Sequence, residues 1–304
     1  MKLITVIPLF TVLVVCSVYF LSSCSAIDDD LSGCGADMQV SFYVDDRFEA
    51  GDFDARIGND VLLYIFQNDI CVEKDTVPYS QIAQGGSYTI HKTDQISGNL
   101  QMVAWAVPAN ATDADVVPAW PLGYRFGSGE ISLQSHTRLG FYAPITKQLY
   151  LGMLAVDNEK INEPTSHPIG MNYSYCRVEV RITDPSGSVL STSGVADVHV
   201  LGSMSRMNRQ LQGTGDRATV LKELGNPSND SVSYTTGRFG ILPSSSGETI
   251  SIEIYAGDVR IATLTGPNGA EAGGLMIFEY TLDTDSFTLI VDGYRVNVYN
   301  VDRV

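Results

Sequence analysis

The chain has 304 residues and a formal net charge of -16 at pH 7. A surface of this sign repels nucleic acid and anionic membranes, which argues against binding to either through a basic patch. Charged residues make up 18% and hydrophobic residues 44%, the composition of a folded protein and not of an acidic disordered one. Frequent Gly, Ser, Thr, Val and Tyr favour an all-β chain with many turns.

The first 24 residues have the layout of a secretory signal that ends at a cysteine. Lys2 precedes an apolar run up to Phe20, and Leu21-Ser22-Ser23 then leads to Cys24. This ending resembles a bacterial lipobox, in which the cysteine and the amine exposed by cleavage are acylated. We therefore predict cleavage before Cys24 and stable anchoring through two or three acyl chains on that residue. A retained transmembrane helix is the alternative, since about 20 apolar residues span a bilayer, but Pro8 argues against it.

A polar tether is predicted to follow the anchor, over residues 24–36. It contains the consecutive acids Asp28, Asp29 and Asp30 and has no apolar periodicity. On physical grounds it is a solvated segment. An acidic stretch close behind a lipidated cysteine also resembles the tag that sends Bacteroidetes lipoproteins to the cell surface, and both interpretations stay open.

Strand patterns separated by turn signals fill residues 37–160. Apolar residues alternate from Met38 to Val44, which predicts a half-buried strand. Further strands are predicted over residues 61–66, 70–74, 87–91, 100–106 and 149–153, the last of which should close this half. Residues 108–129, rich in Pro and Gly and containing Trp120, read as a long surface loop.

Residues 158–170 contain two prolines and no apolar period, so we predict a linker over 161–170. Beyond it, apolar residues alternate at 176, 178, 180 and 182, and further strands are predicted over 195–201, 231–234, 249–255, 259–264, 287–291 and 294–299. Asp292-Gly293 is a typical hairpin turn between the last two. Residues 216–224 are the one weak helix candidate. Each half therefore offers enough strands for a β-sandwich, and two sandwiches in tandem are expected.

The cysteine and histidine residues indicate no metal or cofactor site. Cys34, Cys71 and Cys176 remain beside Cys24 in the mature chain, so at most one of their pairs can form an intramolecular bridge. The histidines lie far apart without metal-ligand spacing, at His91, His136, His167 and His199. The acidic residues 45–60 could bind calcium through oxygen ligands, but they lack EF-hand spacing, and a solvated loop is the simpler interpretation.

No pattern of residues predicts catalysis. A nucleophile elbow is missing, and the Gly-rich stretch 266–269 is followed by no Lys-Ser/Thr pair. The chain is therefore not expected to be an enzyme, and a lipid-anchored hydrolase lacks a recognisable nucleophile and base. A surface glycan-binding lipoprotein is the main rival to a structural role, with Trp120, Tyr124 and Phe126 as its only clustered aromatic residues in a loop.

A family resemblance joins these features. The lipobox, then Asp29-Asp30-Leu31-Ser32-Gly33-Cys34, then the strand pattern at 40–43 resembles the start of FimB/Mfa2-type fimbrial anchor lipoproteins of Bacteroidetes. Residues 61–66 look like the second strand of that family, and residues 240–245 are similar too. Gln67-Asn68-Asp69 departs from it, because the family has Asp-Gly there.

The resemblance implies two transthyretin-like β-sandwich domains in tandem after a cleaved signal peptide. The predicted parts are a signal peptide (1–23), a lipidated tether (24–36), an N-terminal sandwich (37–160), a linker (161–170) and a C-terminal sandwich (171–304). It also implies an outer-membrane, surface-exposed anchor or length-regulating subunit of a fimbria, with pilin subunits as partners through strand donation. An open sheet edge suits such donation because its backbone donors and acceptors await a strand.

Overall fold

The computed structural model describes residues 37–45, 51–52, 60–91, 99–107, 121–146, 148–157, 166–190, 196–208, 210–225, 232–296 and 301–303. The predicted signal peptide and tether, with Cys24 and Cys34, lie outside these ranges, as do Trp120 and most of the acidic residues 45–60.

Strands dominate the described residues, in agreement with the all-β prediction. Twenty strands are described there, in chain order β1 (Met38–Val44), β2 (Gly51–Asp52), β3 (Asp60–Gln67), β4 (Ile70–Val77), β5 (Ser87–Ile90), β6 (Leu100–Val107), β7 (Glu130–Ser132), β8 (Tyr150–Val156), β9 (Ser166–Tyr173), β10 (Cys176–Thr183), β11 (Ala196–Asn208), β12 (Gly213–Glu223), β13 (Ser233–Thr235), β14 (Phe239–Ile241), β15 (Ser251–Ala256), β16 (Val259–Thr265), β17 (Leu275–Thr281), β18 (Ser286–Val291), β19 (Tyr294–Val296) and β20 (Val301–Arg303). The helical elements there are α1 (Tyr79–Ile82) and two 3₁₀ turns, Ala83–Gly85 and Phe126–Ser128.

The first unit is an eight-stranded sheet in the order β2-β1-β9-β8-β6-β3-β4, with β5 also paired to β1. All its pairings are antiparallel except that of β1 with β9. The Tyr88 hydroxyl on β5 donates a hydrogen bond to the Asp75 carboxylate on β4. This side-chain contact links β4, at one end of the strand order, to the strand that pairs with β1 near the other end.

Alternation and continuous apolar runs explain where these strands lie. Met38, Val40, Phe42 and Val44 on β1 are all buried, while the residues between them are more exposed. The six central residues of β3 are buried on both faces, as a run of Val, Leu, Tyr, Ile and Phe requires. Burial of one such side chain stabilises the fold by about 1.5–3 kcal/mol.

The second unit is a sandwich of two six-stranded sheets. One sheet runs β13-β10-β17-β18-β19 with β14 also on β10, and the other runs β12-β11-β15-β16-β20 with β7 also on β11. Their inner faces carry fully buried apolar residues such as Val180 and Phe278 in the first sheet and Val200 and Ile254 in the second. The prediction of an all-β fold with two sandwich-type units in tandem is confirmed.

The predicted linker over 161–170 is wrong for residues 166–170, which form the first half of β9; residues 161–165 lie outside the described ranges. This strand completes the first sheet, so the strand predicted at 149–153 (β8) does not close that half. The strand was missed because it contains Pro168, and proline is typical of loops. It is tolerated because β9 pairs there with β1 alone, and its pairing with β8 begins only at Met171.

The weak helix candidate at 216–224 is also wrong, because most of this stretch belongs to β12, which pairs with β11. Ala218 and Val220 are buried beside half-exposed Thr219, so the apolar period is two. Strand β17, which the sequence patterns did not predict, is nearly continuous in apolar residues and is central to its sheet.

Candidate functional site

The two units meet at a short, buried connection between β9 and β10. Only Ser174 and Tyr175 separate these strands, and the backbone N–H and the hydroxyl of Ser174 both donate to the Leu149 carbonyl, at 3.1 and 3.3 Å. The Tyr175 ring is 4% exposed and packs against Gly240, where an added Cβ would lie 2.4 Å from a ring carbon. The connection is therefore held on both sides.

Arg177, the second residue of β10, strengthens this junction. Its guanidinium carbon lies 4.1 Å from the centre of the Tyr173 ring, the distance of a cation–π contact, and its Nη2 donates to the Gly273 carbonyl at 3.4 Å. Tyr173 in turn meets Tyr150 and Tyr175 at ring-centre distances of 4.4 and 5.5 Å. The contact between the units is thus a cluster of three tyrosine rings, with the Arg177 guanidinium over the ring of Tyr173.

A second link is made by residues 130–145, here named the strap. This segment precedes β8 in sequence but lies on the second unit. Its β7 pairs with β11, and Tyr142 exchanges backbone hydrogen bonds with Thr219 and Leu221 at 2.9 and 3.1 Å. Ile145 bonds Gly240 in both directions. The strap therefore ties the first half of the chain to both sheets of the second unit.

A buried polar cluster lies beneath the strap. Arg138 Nη1 donates to Asp197 Oδ2 at 3.0 Å, and His199 Nε2 lies 3.3 Å from Asp197 Oδ1. The side chains of Asp197 and His199 are each 7% exposed. The His199 ring lies between Phe141 and Tyr255, at centroid distances of 4.7 and 4.2 Å. Burial lowers the pKa of His199, against the opposing influence of the Asp197 charge.

This cluster was not predicted, because His199 has no other ligand residue at metal-ligand spacing beside it in the sequence. Arg138 and Asp197 are 59 positions apart, and only the pairing of strap and sheet brings them together. With the carboxylate bound to an arginine and the imidazole stacked between rings, the arrangement fixes the strap. It therefore acts as a structural lock at the surface of the sheet.

A second charged cluster lies on the outer face of the other sheet. Glu179 accepts from Arg181 Nε at 2.7 Å and from Arg238 Nε at 3.3 Å, and Arg181 also reaches Glu279 at 3.0 Å. Burial opposes the ionisation of Glu179, but the two arginines outweigh it and hold the pKa of this carboxyl below its usual value. The cluster borders an open cavity of about 530 Å³ whose other lining residues are mainly Ser and Thr.

Within the described part of the chain, sheet edges that pair with no further strand are the features that a partner strand could use. In the first unit, β4 stands at the end of the strand order. The beginning of this edge is covered, because Cys71 N–H donates to the Tyr124 carbonyl and Gly123 N–H to the Cys71 carbonyl, at 2.9 and 2.8 Å. In the second unit, β19 and β20 are short strands at the ends of their two sheets. Natural sheets protect edges in this way by short strands and covering loops.

The predicted loop cluster of aromatic residues is divided by the structure. Phe126 is 5% exposed and packs on Phe66 at a centroid distance of 4.8 Å, so it belongs to the core. Tyr124 is 57% exposed, and Trp120 lies outside the described residues. Phe126 is therefore not available to a sugar, and the three-residue aromatic platform considered for glycan binding loses this member.

The remaining predicted residues do not come together. His91 contacts Asp37 at 3.0 Å on the surface, and His167 is buried on β9. Burial raises the pKa of the Cys71 thiol, and it raises that of Cys176 to about 12. Within the described ranges, His, Cys, Asp and Glu side chains nowhere gather in a group that could hold a metal ion. None of the helices in the described part has the length and apolar character needed to span a bilayer.

Solved structures from Bacteroides and Porphyromonas species have a fold similar to this one. It is similar to a Bacteroides thetaiotaomicron protein proposed to bind polysaccharides, at 14% identity and a TM-score of 0.61, covering 87% of this chain and 98% of the other. It is also similar to the fimbrial anchor protein Mfa2 of Porphyromonas gingivalis, at 12% identity and a TM-score of 0.57, covering 88% and 100%. At these identities the likeness shows the fold alone. No curated protein sequence is similar enough to this chain to count as a relative.

A family model decides the relationship. The model of the fimbrillin-A associated anchor proteins Mfa1 and Mfa2 matches residues 31–300, and the chain belongs to this family. The family resemblance predicted from sequence is thereby confirmed, and with it the role of fimbrial anchor type. The match begins at Leu31, within the predicted tether and seven residues after Cys24.

Proposed function

We propose that the protein is an outer-membrane lipoprotein that holds the base of a fimbria at the cell surface through acyl chains on Cys24. The observation that carries this proposal is the family match over residues 31–300, directly behind a lipobox-like sequence at residues 21–24. Residues 1–23 are then a leader that is removed. Two or three acyl chains hold a protein stably, whereas one gives only marginal binding.

Pilin subunits are the proposed partners, and strand addition at a sheet edge is the proposed mode. It is supported by the open edges described above, in particular the part of β4 beyond Cys71 and the short end strands β19 and β20. A strand added at such an edge gains backbone hydrogen bonds along its length, and side-chain pockets supply the specificity.

Surface glycan binding is the second candidate function. One observation favours it: the 530 Å³ cavity beside Glu179 and Arg181 is lined by hydroxyl and charged side chains, which suit a sugar. The exposed aromatic rings on which sugar faces commonly stack are few there, since Tyr234 and Tyr280 are both almost fully buried. This candidate is therefore the weaker of the two.

One experiment separates the two candidates. The protein is isolated from native membranes after mild cross-linking, and its partners are identified by mass spectrometry. We expect pilin peptides linked to this chain and an N-terminal peptide that begins with acylated Cys24. Retention on immobilised cell-surface polysaccharide with no pilin cross-link would contradict the anchor proposal and favour the glycan site. A control with Glu179→Gln and Arg181→Gln should retain the pilin cross-links, because these residues lie on β10, whose two edges are already paired within its sheet.

A further inference from the structure

We propose that β1 and β9 form a mechanical clamp, which carries the load between the membrane tether and the second unit. This inference rests on the proposed anchoring at Cys24, because a filament held at its base is pulled by fluid drag. The tether then draws on the start of β1, and the second unit draws on the end of β9. The arrangement of these two strands determines how the first unit responds.

The two strands are pulled from opposite ends while they lie parallel. Six residue pairs join them, from Gln39 with Ser166 to Val44 with Met171. The chain enters β1 at Met38 and leaves β9 at Tyr173, so the pulling directions run along the strands and away from each other. The hydrogen bonds between them are then loaded together in shear. A hairpin pulled at its open end opens one bond at a time and resists far less.

The other edge of β1 is held in the same way. β5 pairs with it over four residues, from Met38 with Ile90 to Ser41 with Ser87, and β2 pairs with its last two residues. An axial pull on β1 therefore shears two ladders at once. Sliding by one residue would also turn its four buried side chains toward solvent, since side chains alternate between the faces of a sheet.

The load continues through the buried connection into a second strand of the same type. β10 follows β9 after two residues and is parallel to β17 over seven pairs, from Arg177 with Leu275 to Thr183 with Thr281. Its other edge is paired with β13 and β14. Meanwhile strands β3, β4 and β6 lie in the chain between β1 and the strap, outside the direct path, and carry no load until the clamp fails. The strap is bound to the second unit, so β8, which follows it, shares the load with β9.

A reversible cross-link tests the clamp. Gln39 and Ser166 lie directly opposite each other on β1 and β9, so Gln39→Cys/Ser166→Cys places two thiols within bridging reach. The full chain is held at its two ends and stretched in single-molecule force spectroscopy. With the thiols reduced, we expect one abrupt lengthening of about 30 nm when the clamp yields, the extended length of residues 38–129, because the strap beyond them stays bound to the second unit. With the disulfide closed this step should disappear, because the enclosed chain no longer extends.

A matched cross-link outside the clamp serves as the control. Ser251 and Thr265 face each other on β15 and β16 with 3.1 Å between their hydroxyl oxygens, and Ser251→Cys/Thr265→Cys should leave the step of about 30 nm unchanged on oxidation. The proposal is overturned if the reduced clamp variant lengthens in several small steps at low force, or if the large step survives oxidation. The measurement uses neither membrane nor pilin, so a result that contradicts the clamp would not contradict the anchoring at Cys24. Conversely, finding that Cys24 is not acylated would not change the force traces.

Discussion

Arg138→Met tests whether the strap is locked onto the second unit by the charge cluster beneath it. The substitution removes the cation that hydrogen-bonds the Asp197 carboxylate, whose side chain is 7% exposed. Loss of one partner from a fully buried pair costs about 3–5 kcal/mol. The Arg138 side chain is itself 46% exposed, so water screens part of the interaction. We therefore expect the free energy of unfolding to fall by roughly 2 kcal/mol, between the values for buried and surface pairs.

Urea unfolding followed by far-UV circular dichroism, which reports on the strands of both units, measures this loss as a shift in the midpoint at constant slope. The control is Arg217→Met, which removes the ion pair with Glu248 at a site where the arginine side chain is 74% exposed. Surface pairs of this kind contribute about 0–1 kcal/mol. In the double variant Arg138→Met/Asp197→Leu the buried charge is also gone, so part of the lost stability should return.

Two results would refute this reasoning. The first is a loss of unfolding free energy in Arg138→Met no larger than that in Arg217→Met. The buried Asp197 carboxylate would then not be stabilised by the Arg138 charge. The second is a double variant as unstable as the sum of Arg138→Met and Asp197→Leu measured separately, because independent residues add.

Two further predictions concern neighbouring parts of the same structure. Burial lowers the pKa of His199 in the folded chain below its ordinary value of 6.5. As the pH falls below 6.5, the unfolded chain therefore takes up a proton on His199 that the folded chain does not. The free energy of unfolding should then fall as the pH drops from 7 to 5. In His199→Phe the urea midpoint should depend less on pH between 7 and 5 than in the wild-type protein. An equally strong pH dependence in the variant would contradict a buried neutral imidazole at this position. Gly240→Ala should cost about 1–3 kcal/mol by pressing its Cβ into the Tyr175 ring, whereas Gly266→Ala meets only the flexible end of Leu289 and should cost less in the same assay.

The strands that could be predicted are those whose buried faces are indicated by the order of apolar residues along the sequence. The alternation from Met38 to Val44 requires one buried face, and the structure has it. The apolar run around Tyr64 requires burial on both faces, and β3 lies between two partners. Asp292-Gly293 correctly marked the turn between β18 and β19, where both residues have positive φ. Local pattern was sufficient in each case.

The features that could not be predicted depend on contacts between distant segments. Pro168 lies in a strand because β8 pairs with β9 only further along, which no local pattern reveals. The lock formed by Arg138, Asp197 and His199 exists because the strap crosses from the first half of the chain onto β11. In both cases the register of pairing, and not the composition of the segment, decides which residues meet.

The anchor itself is tested most directly by the fate of the fimbriae when Cys24 is replaced. Cells that carry Cys24→Ala are compared with wild-type cells for the fraction of polymerised pilin that sediments with the cells and the fraction in the medium. The lipid-anchored base proposed here predicts that fimbriae move into the medium with the mutant chain still bound to them. Fimbriae that stay on the cells at wild-type levels, while the mutant chain is present and folded, would contradict it.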